Sequence, residues 1–493
     1  MGCDVTLTKI DEAYLRVESD DRGIMMELSE FFTFFVPGYK FMPAFKNKMW
    51  DGKLRLLDLR TNKVYAGLQK YIEQFCAERE YSISIPQHAP YDTNIDWVDM
   101  LPITSGDKVV KAREYQKEAL TYALTNHRGL LVSPTASGKS LIIYLLIRYF
   151  MEYNKDLKIL LIVPTTSLVK QMYGDFADYS QKDGTFTAQD CHQIMAGKDK
   201  NADLPIYIST WQSIYKMPKQ YFQQFGMVIG DEAHNFKAKS LTSILTKCSN
   251  AEYRFGLTGT LDGTQTHKLV LEGLFGPVYN VTTTKTLIDA GDLSDLAIDV
   301  ILLKHPEELC KIVSKMKYPD EIDHIVTYNP RNQFIKNLAL DQTGNTLVLF
   351  QYVEKHGMPL HKLISKDAAK NRRVFFVAGL TDADTREEVR ALTEVENDAI
   401  IVASMGTFST GINIKNLHNI IFASPSKSQI RILQSVGRVL RKSEDGRPAK
   451  VYDIADDLHW KSKKNYTLSH SAERIKIYAK QKFKFKIHEV PLL

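Results

Sequence analysis

At 493 residues the chain is too long for one hydrophobic core and suits about two to four domains. Apolar residues make up 44%, charged residues 25% and aromatic residues 10%, the composition of a soluble globular protein; the longest apolar run, Leu141–Met151, is broken by Arg148 and falls well short of the roughly 18 residues that span a bilayer. Five scattered cysteines (Cys3, Cys76, Cys191, Cys248, Cys310), with no Cys-x-x-Cys pair, exclude a zinc ribbon and a disulfide framework and fit a reducing cytoplasm.

Taken in order, the chain opens on Met-Gly-Cys-Asp-Val-Thr, which matches an acylation pattern at Gly2 and Cys3; no polybasic stretch follows, so no membrane anchor is expected. Residues 1–105 read as a small α/β (α+β) unit, acidic as a whole with twelve Lys and Arg against sixteen Asp and Glu. Within it, Gly38–Asp58 concentrates Lys40, Lys46, Lys48, Lys53 and Arg55 with Phe41, Phe45 and Trp50. Trp50-Asp51-Gly52-Lys53 reads as a turn into a strand. Such a patch can grip nucleic acid through stacking and phosphate contacts, with Lys48, Trp50 and Lys53 as the candidates, or its aromatics can form the unit's own core. Pro86–Gly106, with three prolines, reads as a linker.

From Gly129 onward short apolar runs alternate with helical stretches: Gly129–Val132, Ile159–Val163, Ile206–Ile208, Met227–Ile229 and Phe255–Leu257 read as buried parallel strands of an α/β domain. Ligands of open α/β sheets bind beyond the carboxyl ends of the strands. The first run continues into Ser133-Pro134-Thr135-Ala136-Ser137-Gly138-Lys139-Ser140, a strand–loop–helix context suited to cradling phosphates. Gly138 permits close approach, Lys139 reaches the terminal phosphates and Ser140 holds Mg²⁺; Ser133 stands where the usual pattern has glycine. Asp231-Glu232 after the fourth run supplies the rest of an NTPase, Asp231 for Mg²⁺ and Glu232 to orient and deprotonate the attacking water.

A second series, Leu347–Phe350, Val374–Val377, Ile400–Val402, Ile420–Ala423 and Lys450–Tyr452, predicts a second sheet of the same type without a phosphate loop. It carries Thr410-Gly411-Ile412-Asn413 and Gln434–Arg441; Arg438 and Arg441 share a helix face and can offset charge developing on a terminal phosphate, or form surface ion pairs. Much of the net charge of +6 gathers in Lys461–Leu493, where nine Lys or Arg face only Glu473 and Glu489. Interleaved with Tyr466, Tyr478, Phe483 and Phe485, this segment reads either as a basic tail that binds phosphates, Lys482 and Lys484 among its contacts, or as a solvated helix face and frayed end.

The order Arg113-Glu114-Tyr115-Gln116, Pro134–Ser140, Val163-Pro164-Thr165, Ser209-Thr210-Trp211-Gln212, Asp231-Glu232-Ala233-His234, Thr258-Gly259-Thr260, Thr410–Asn413 and Gln434–Arg441 resembles helicase superfamily 2. With Trp50–Lys53, Arg55–Asp58 and Phe408–Gly411, the chain resembles more narrowly the UvsW-type branched-DNA helicases of T-even-type phages, over nearly its whole length. The resemblance implies two tandem RecA-like domains, residues 106–284 and 285–461, between the accessory domain 1–105 and a basic tail 462–493. It implies ATP and Mg²⁺ as cofactors, with Gln116 reading adenine beside Arg113, and with Pro134, Thr135, Ala136, Ser137, His234, Gly411, Asn413 and Gln434 around the nucleotide. Thr165, Thr210, Thr258 and Thr260 would relay between nucleotide and nucleic-acid strand. Asn413 stands where many relatives have Asp. The activity implied is ATP-dependent remodelling of branched DNA (junction migration, fork regression, unwinding of RNA–DNA hybrids in R-loops) by a monomer. Single-strand-binding or recombination proteins are its expected partners. An RNA helicase of the same fold and an ATP-switched DNA clamp are the alternatives.

Overall fold

The computed structural model describes the chain except residues 1–2, 87–92, 107, 155, 184–187, 196, 198, 237, 380–388, 390–391, 394, 408–415, 426–427, 429–431, 434, 438–439, 441–446 and 493. It divides into two compact units, Met1–Ser133 with Gly138–Val281, and Pro134–Ser137 with Thr282–Leu493. Among the described residues no helix is long and apolar enough to cross a membrane.

The amino-terminal domain contains β1 (Val5–Lys9), β2 (Tyr14–Glu18), β3 (Thr33–Phe35), β4 (Lys53–Arg55), β5 (Lys63–Tyr65) and β6 (Ile83–Ser84). β1, β2, β5 and β6 make one mixed sheet in the order β5-β2-β1-β6, while β3 and β4 pair apart from it. Alternation along β1 and β2 turns Val5, Leu7, Leu15 and Val17 inward, where helices Arg22–Phe31 and Gln69–Glu78 cover them with Ile24, Leu28, Ile72 and Phe75. The same cluster includes Leu269 of the helix Gln265–Phe275, so the domain is docked on the next one. At this seam the Tyr71 hydroxyl donates to Glu272 at 2.6 Å, and Arg128 Nη2 donates to the Glu12 carbonyl at 2.9 Å. Gly67 lies so close that a Cβ there would stand 1.9 Å from the Glu272 carbonyl oxygen.

The segment expected as a linker is built into the fold from residue 95 on. Val98 and Ile103 are buried in the core of the first parallel-sheet domain, and the Gly106 N–H donates to the Asp178 carboxylate at 2.8 Å. β7 (Thr104–Ser105) and β8 (Lys108–Val109) form a small hairpin there. Proline and polar residues resemble a flexible connector in composition; the four apolar side chains Ile95, Trp97, Val98 and Ile103 decide otherwise by packing.

The first large sheet comprises β9 (Arg128–Val132), β10 (Lys158–Val163), β11 (Cys191–Ile194), β12 (Ile206–Thr210), β13 (Phe225–Gly230), β14 (Tyr253–Thr258) and β15 (Val278–Asn280), all parallel, in the order β11-β12-β10-β13-β14-β9-β15. The second comprises β16 (Leu296–Lys304), β17 (Thr346–Phe350), β18 (Val374–Val377), β19 (Ile400–Ser404), β20 (Asn419–Phe422), β21 (Ala449–Asp457) and β22 (Phe485–Pro491), in the order β18-β19-β17-β20-β21-β16-β22. Numbered within each domain, both orders read 3-4-2-5-6-1-7. The chain is thus α/β, with two RecA-like sheets of one topology and a mixed-sheet accessory domain.

That correspondence corrects the reading of residues 462–493 as a tail. They form the helix Tyr466–Lys480 and the seventh strand β22, which pairs with β16 from Ile298↔Phe485 to Lys304↔Pro491. Arg474, counted among the basic residues, is buried; its Nε lies 2.8 and 2.9 Å from the two carboxylate oxygens of Asp453 on β21, which also accepts from the Tyr478 hydroxyl at 2.9 Å. Lys482 and Lys484 remain exposed, on the turn into β22 and just before it.

Arg474→Met leaves the Asp453 carboxylate buried without its cation and is expected to cost about 3–5 kcal/mol, read as a lower urea midpoint for the transition of the second unit. Gly67→Val drives a side chain into the Glu272 and Gly273 carbonyls, which backbone cannot yield. Loss of about 1–3 kcal/mol, with faster trypsin cleavage within residues 1–86, is expected in limited proteolysis.

Candidate functional site

The phosphate loop is held at the carboxyl edge of the first sheet by its neighbours. The Ser133 N–H, at the end of β9, donates to the Thr258 carbonyl at the end of β14 at 2.9 Å. Ala136 (φ 67°) and Gly138 (φ 79°) are both left-handed. Left-handed positions interspersed in a loop turn successive N–H groups into an anion-binding concavity, and the strain of a left-handed alanine is kept where that concavity is needed. A Cβ at Gly138 would lie 2.4 Å from Gln116 Nε2 and would push that amide aside, while the left-handed backbone itself favours glycine. Gln116 Oε1 accepts from the Arg113 N–H at 2.9 Å, closing a capping box at the start of the helix Glu114–Asn126, and Arg113 Nη1 donates to the Tyr115 hydroxyl at 2.9 Å. Arg113 and Gln116 therefore form the helix end that abuts the loop.

Lys139 and Ser140 open the buried helix Lys139–Tyr153. Lys139 Nζ donates to the Ser133 carbonyl at 3.3 Å, and the Ser140 hydroxyl lies 2.8 Å from that of Tyr179. Two strands away, β13 ends in Asp231 and Glu232. The Asp231 carboxyl is buried, and burial together with the adjacent Glu232 pushes it up to about 7, against the opposing pull of Lys139. Glu232 is itself left-handed (φ 49°), the conformation that turns the chain sharply out of the strand.

His234 ties these carboxylates to the Thr258–Thr260 segment. Its Nδ1 lies 3.2 Å from Glu232 Oε2 and 3.0 Å from Thr258 Oγ1. Since the Thr258 hydroxyl donates to the Thr260 carbonyl at 3.0 Å, the proton between His234 and Thr258 belongs to His234 Nδ1. The Thr260 hydroxyl oxygen is buried without a hydrogen-bond partner among the described residues. Thr210 ends β12 opposite Val163, the last residue of β10, and Thr165 follows two residues after Val163. Thr165 caps the helix Thr166–Tyr179, its hydroxyl accepting from the Leu168 N–H at 3.3 Å, and Thr210, before the short helix Trp211–Ile214, places Oγ1 2.9 Å from Ser213 Oγ.

Three contributors were not legible in the sequence. Tyr179 meets Ser140, while His267 donates from Nε2 to the His234 carbonyl at 2.9 Å and faces Asp262 from Nδ1 at 2.8 Å. None falls within a motif, and only packing brings them in. Gly411, Asn413, Gln434, Arg438 and Arg441 lie outside the described residues. In the amino-terminal domain, Trp50 is half-buried, its indole N–H donating to the Lys53 carbonyl at 2.9 Å, and Lys53 Nζ lies 5.2 Å from the centroid of the Phe35 ring; Lys48 is exposed.

The hydroxyl of Ser140 and the carboxylate of Asp231 are hard oxygen donors of the kind Mg²⁺ takes. No group of three or more His, Cys, Asp or Glu among the described residues could hold a metal by itself. A metal bound at this edge would complete its shell with phosphate oxygens and water, as Mg²⁺ does at nucleotide sites.

Comparison with known proteins agrees with this geometry. Residues 4–86 match the family described as DNA helicase UvsW, N-terminal; residues 109–263 match type III restriction enzyme, res subunit; residues 330–443 match helicase conserved C-terminal domain. The chain is 36% identical to the ATP-dependent DNA helicase uvsW of Enterobacteria phage T4 over 505 aligned positions, covering 98% of each protein. The crystal structure of T4 UvsW aligns over 99% of this chain and 100% of its own, at 35% identity and a TM-score of 0.52. The type ISP restriction-modification enzyme LlaBIII bound to DNA aligns over 87% of this chain and 36% of its own, at 18% identity and a TM-score of 0.57, a likeness of fold. An accessory domain, a phosphate-loop sheet and a second sheet of matching order, all shared end to end with the phage T4 protein, make this chain a member of the UvsW family of superfamily 2 helicases.

Proposed function

We propose that this helicase uses ATP and Mg²⁺ to remodel branched DNA: migrating four-way junctions, regressing forks and displacing RNA from R-loops. The observation that carries the reading is the docked amino-terminal domain. A motor needs only the two sheets to hydrolyse ATP, whereas a domain fixed to one of them by the Tyr71–Glu272 and Arg128–Glu12 contacts gives a body against which a branched substrate can be worked. The phage T4 relative is described as an ATP-dependent DNA helicase, which favours DNA over RNA.

In this reading the loop residues Pro134, Thr135, Ala136, Ser137 and Gly138 wrap the phosphates, and Lys139 exchanges its Ser133 carbonyl for the terminal phosphate oxygens. Ser140 and Asp231 hold Mg²⁺, which supplies charge compensation on the phosphates. Glu232, oriented by His234, takes the proton of the attacking water. The water's oxygen displaces ADP from the terminal phosphorus, and Arg438 and Arg441 stabilise the charge that develops. Gln116 and Arg113 read the base; Gly411, Asn413 and Gln434 complete the nucleotide's surroundings. The Glu232–His234–Thr258 chain gives a physical route from the hydrolytic carboxylate to Thr260, and the nucleic-acid strand would lie along Thr165, Thr210, Thr258 and Thr260. Lys48, Lys53, Lys482 and Lys484 supply further contacts to it, and Trp50 holds the turn that carries Lys53.

Strand displacement on a four-way junction, an R-loop, a tailed linear duplex and an RNA duplex of matched length, with Glu232→Gln as the inactive control, tests the reading. Preference for the first two substrates is expected. Preference for the RNA duplex would make the protein an RNA helicase; hydrolysis with all four left intact would make it a clamp. The raised Asp231 pKa adds a pH signature. The folded protein keeps a proton on Asp231 that the unfolded chain releases near 4, so this group's contribution to stability falls as pH rises from about 4 to about 7. Asp231 would have to be ionised to hold Mg²⁺. Half-saturating Mg²⁺ for binding of a fluorescent ADP is expected to fall about tenfold for each unit by which pH rises toward 7 and to level off above it, and Asp231→Asn is expected to abolish the slope.

A further inference from the structure

The Trp50-Asp51-Gly52-Lys53 stretch serves mainly to build a small module between β3 and β4. Gly52 is left-handed (φ 80°), and a Cβ there would stand 2.3 Å from the Tyr39 ring. Tyr39 stacks on Phe35 at 4.7 Å and meets Phe45 edge-on at 4.8 Å. The Trp50 indole closes the turn onto the Lys53 carbonyl, and Asp51 is taken up by Arg55. The aromatic residues that pattern singles out are thus largely spent on holding the module's shape.

What the module presents outward is different. Phe41 and Met49 are each 80% exposed, and Met42 beside Phe41 is 37% exposed. Lys40, Lys46 and Lys48 are exposed around them, and no carboxylate pairs with any of the three among the described residues. An open concavity lies between Lys40, Phe45, Lys46 and Trp50. Large apolar side chains left in water on a locally basic surface mark an interaction site. Its chemistry, apolar groups flanked by unpaired cations, matches a nucleic acid whose bases have been partly unstacked.

We propose that the module between β3 and β4 is a branch-point wedge: Phe41 and Met49 press against bases opened at a DNA branch, while Lys40, Lys46 and Lys48 hold the flanking phosphates. This rests on the branched-DNA reading above and assigns the contact to residues other than Trp50. Docking of the amino-terminal domain on the first sheet gives the wedge a fixed base. Its two outer side chains bury little of their own surface in the protein, so their truncation leaves the fold intact.

The test uses the full chain, without ATP, on a four-way DNA junction carrying 2-aminopurine at the branch point. Wild-type binding is expected to raise the fluorescence, reporting unstacking. The double variant Phe41→Ala/Met49→Ala, with unchanged circular dichroism and melting, is expected to lose that rise and to bind the junction about 10-fold more weakly or worse. Lys46→Gln/Lys48→Gln is expected to keep the rise at saturation and to lower the log–log salt slope by about 2. A double alanine variant that unstacks the branch as wild type does would overturn the wedge. So would binding of anionic phosphatidylserine vesicles that depends on Phe41 and Met49 while junction unstacking does not. If wild type shows no preference for branched over linear DNA in strand displacement, the functional reading fails; a junction-preferring wild type matched by the alanine variant sinks the wedge alone.

Discussion

The parallel register of β9, β14 and β13 is the constraint on which the chemistry of the first unit depends. Leu131 stands opposite Leu257, and Ile229 opposite Phe255, so that three strands run out at one edge within a residue or two of each other. Only then do Ser133 and Thr258 share a backbone hydrogen bond, and only then does His234 reach Thr258 while remaining beside Glu232. A slip of one residue would invert the faces of a strand that is buried on both sides and would break this edge apart. Hydrophobic burial therefore sets the position of Ser133, Glu232, His234 and Thr258, although none of the apolar residues that enforce it touches them through a polar group.

Buried cations do a second kind of work. Arg254 is fully buried and spreads its guanidinium over the Leu274, Cys248 and Leu245 carbonyls at 2.9, 3.0 and 2.7 Å, joining a helix end, a turn and the strand it belongs to. Burial and this neighbouring cation hold Arg128 down to about 10, yet its link to Glu12 fastens the amino-terminal domain. In the second unit Arg331 and His305 converge on Asp456, and Arg474 and Tyr478 on Asp453. Each arrangement is directional, so it selects one packing of its elements where apolar contacts alone would tolerate several.

The amino-terminal domain shows how far a motif can differ in meaning from its residues. Trp50 and Lys53 look like ligand-binding groups by type, and in the fold they shape a turn. Phe41, one of the aromatics of Gly38–Asp58, and Met49, which no pattern marks, are the side chains left most in water. Exposure depends on what packs nearby, and that information is not carried by the local pattern.

The sequence by itself determined the strands and the phosphate loop, because buried parallel strands need continuous apolar runs and a phosphate cradle needs a short glycine-containing turn before a helix. The same runs fix where Lys139, Ser140, Asp231 and Glu232 stand: the first two close the loop that follows the first run, and the other two follow the fourth. The tertiary structure alone decided the fate of residues 462–493, whose lysines alternate with a buried Arg474, Tyr478 and Phe483 that complete a seven-stranded sheet. It alone brought Tyr179, His267 and Asp262 to the site and packed Ile95–Ile103 into a core. Those outcomes rest on pairings between residues far apart in the chain, where charge and apolarity acquire a role only through the partner they meet.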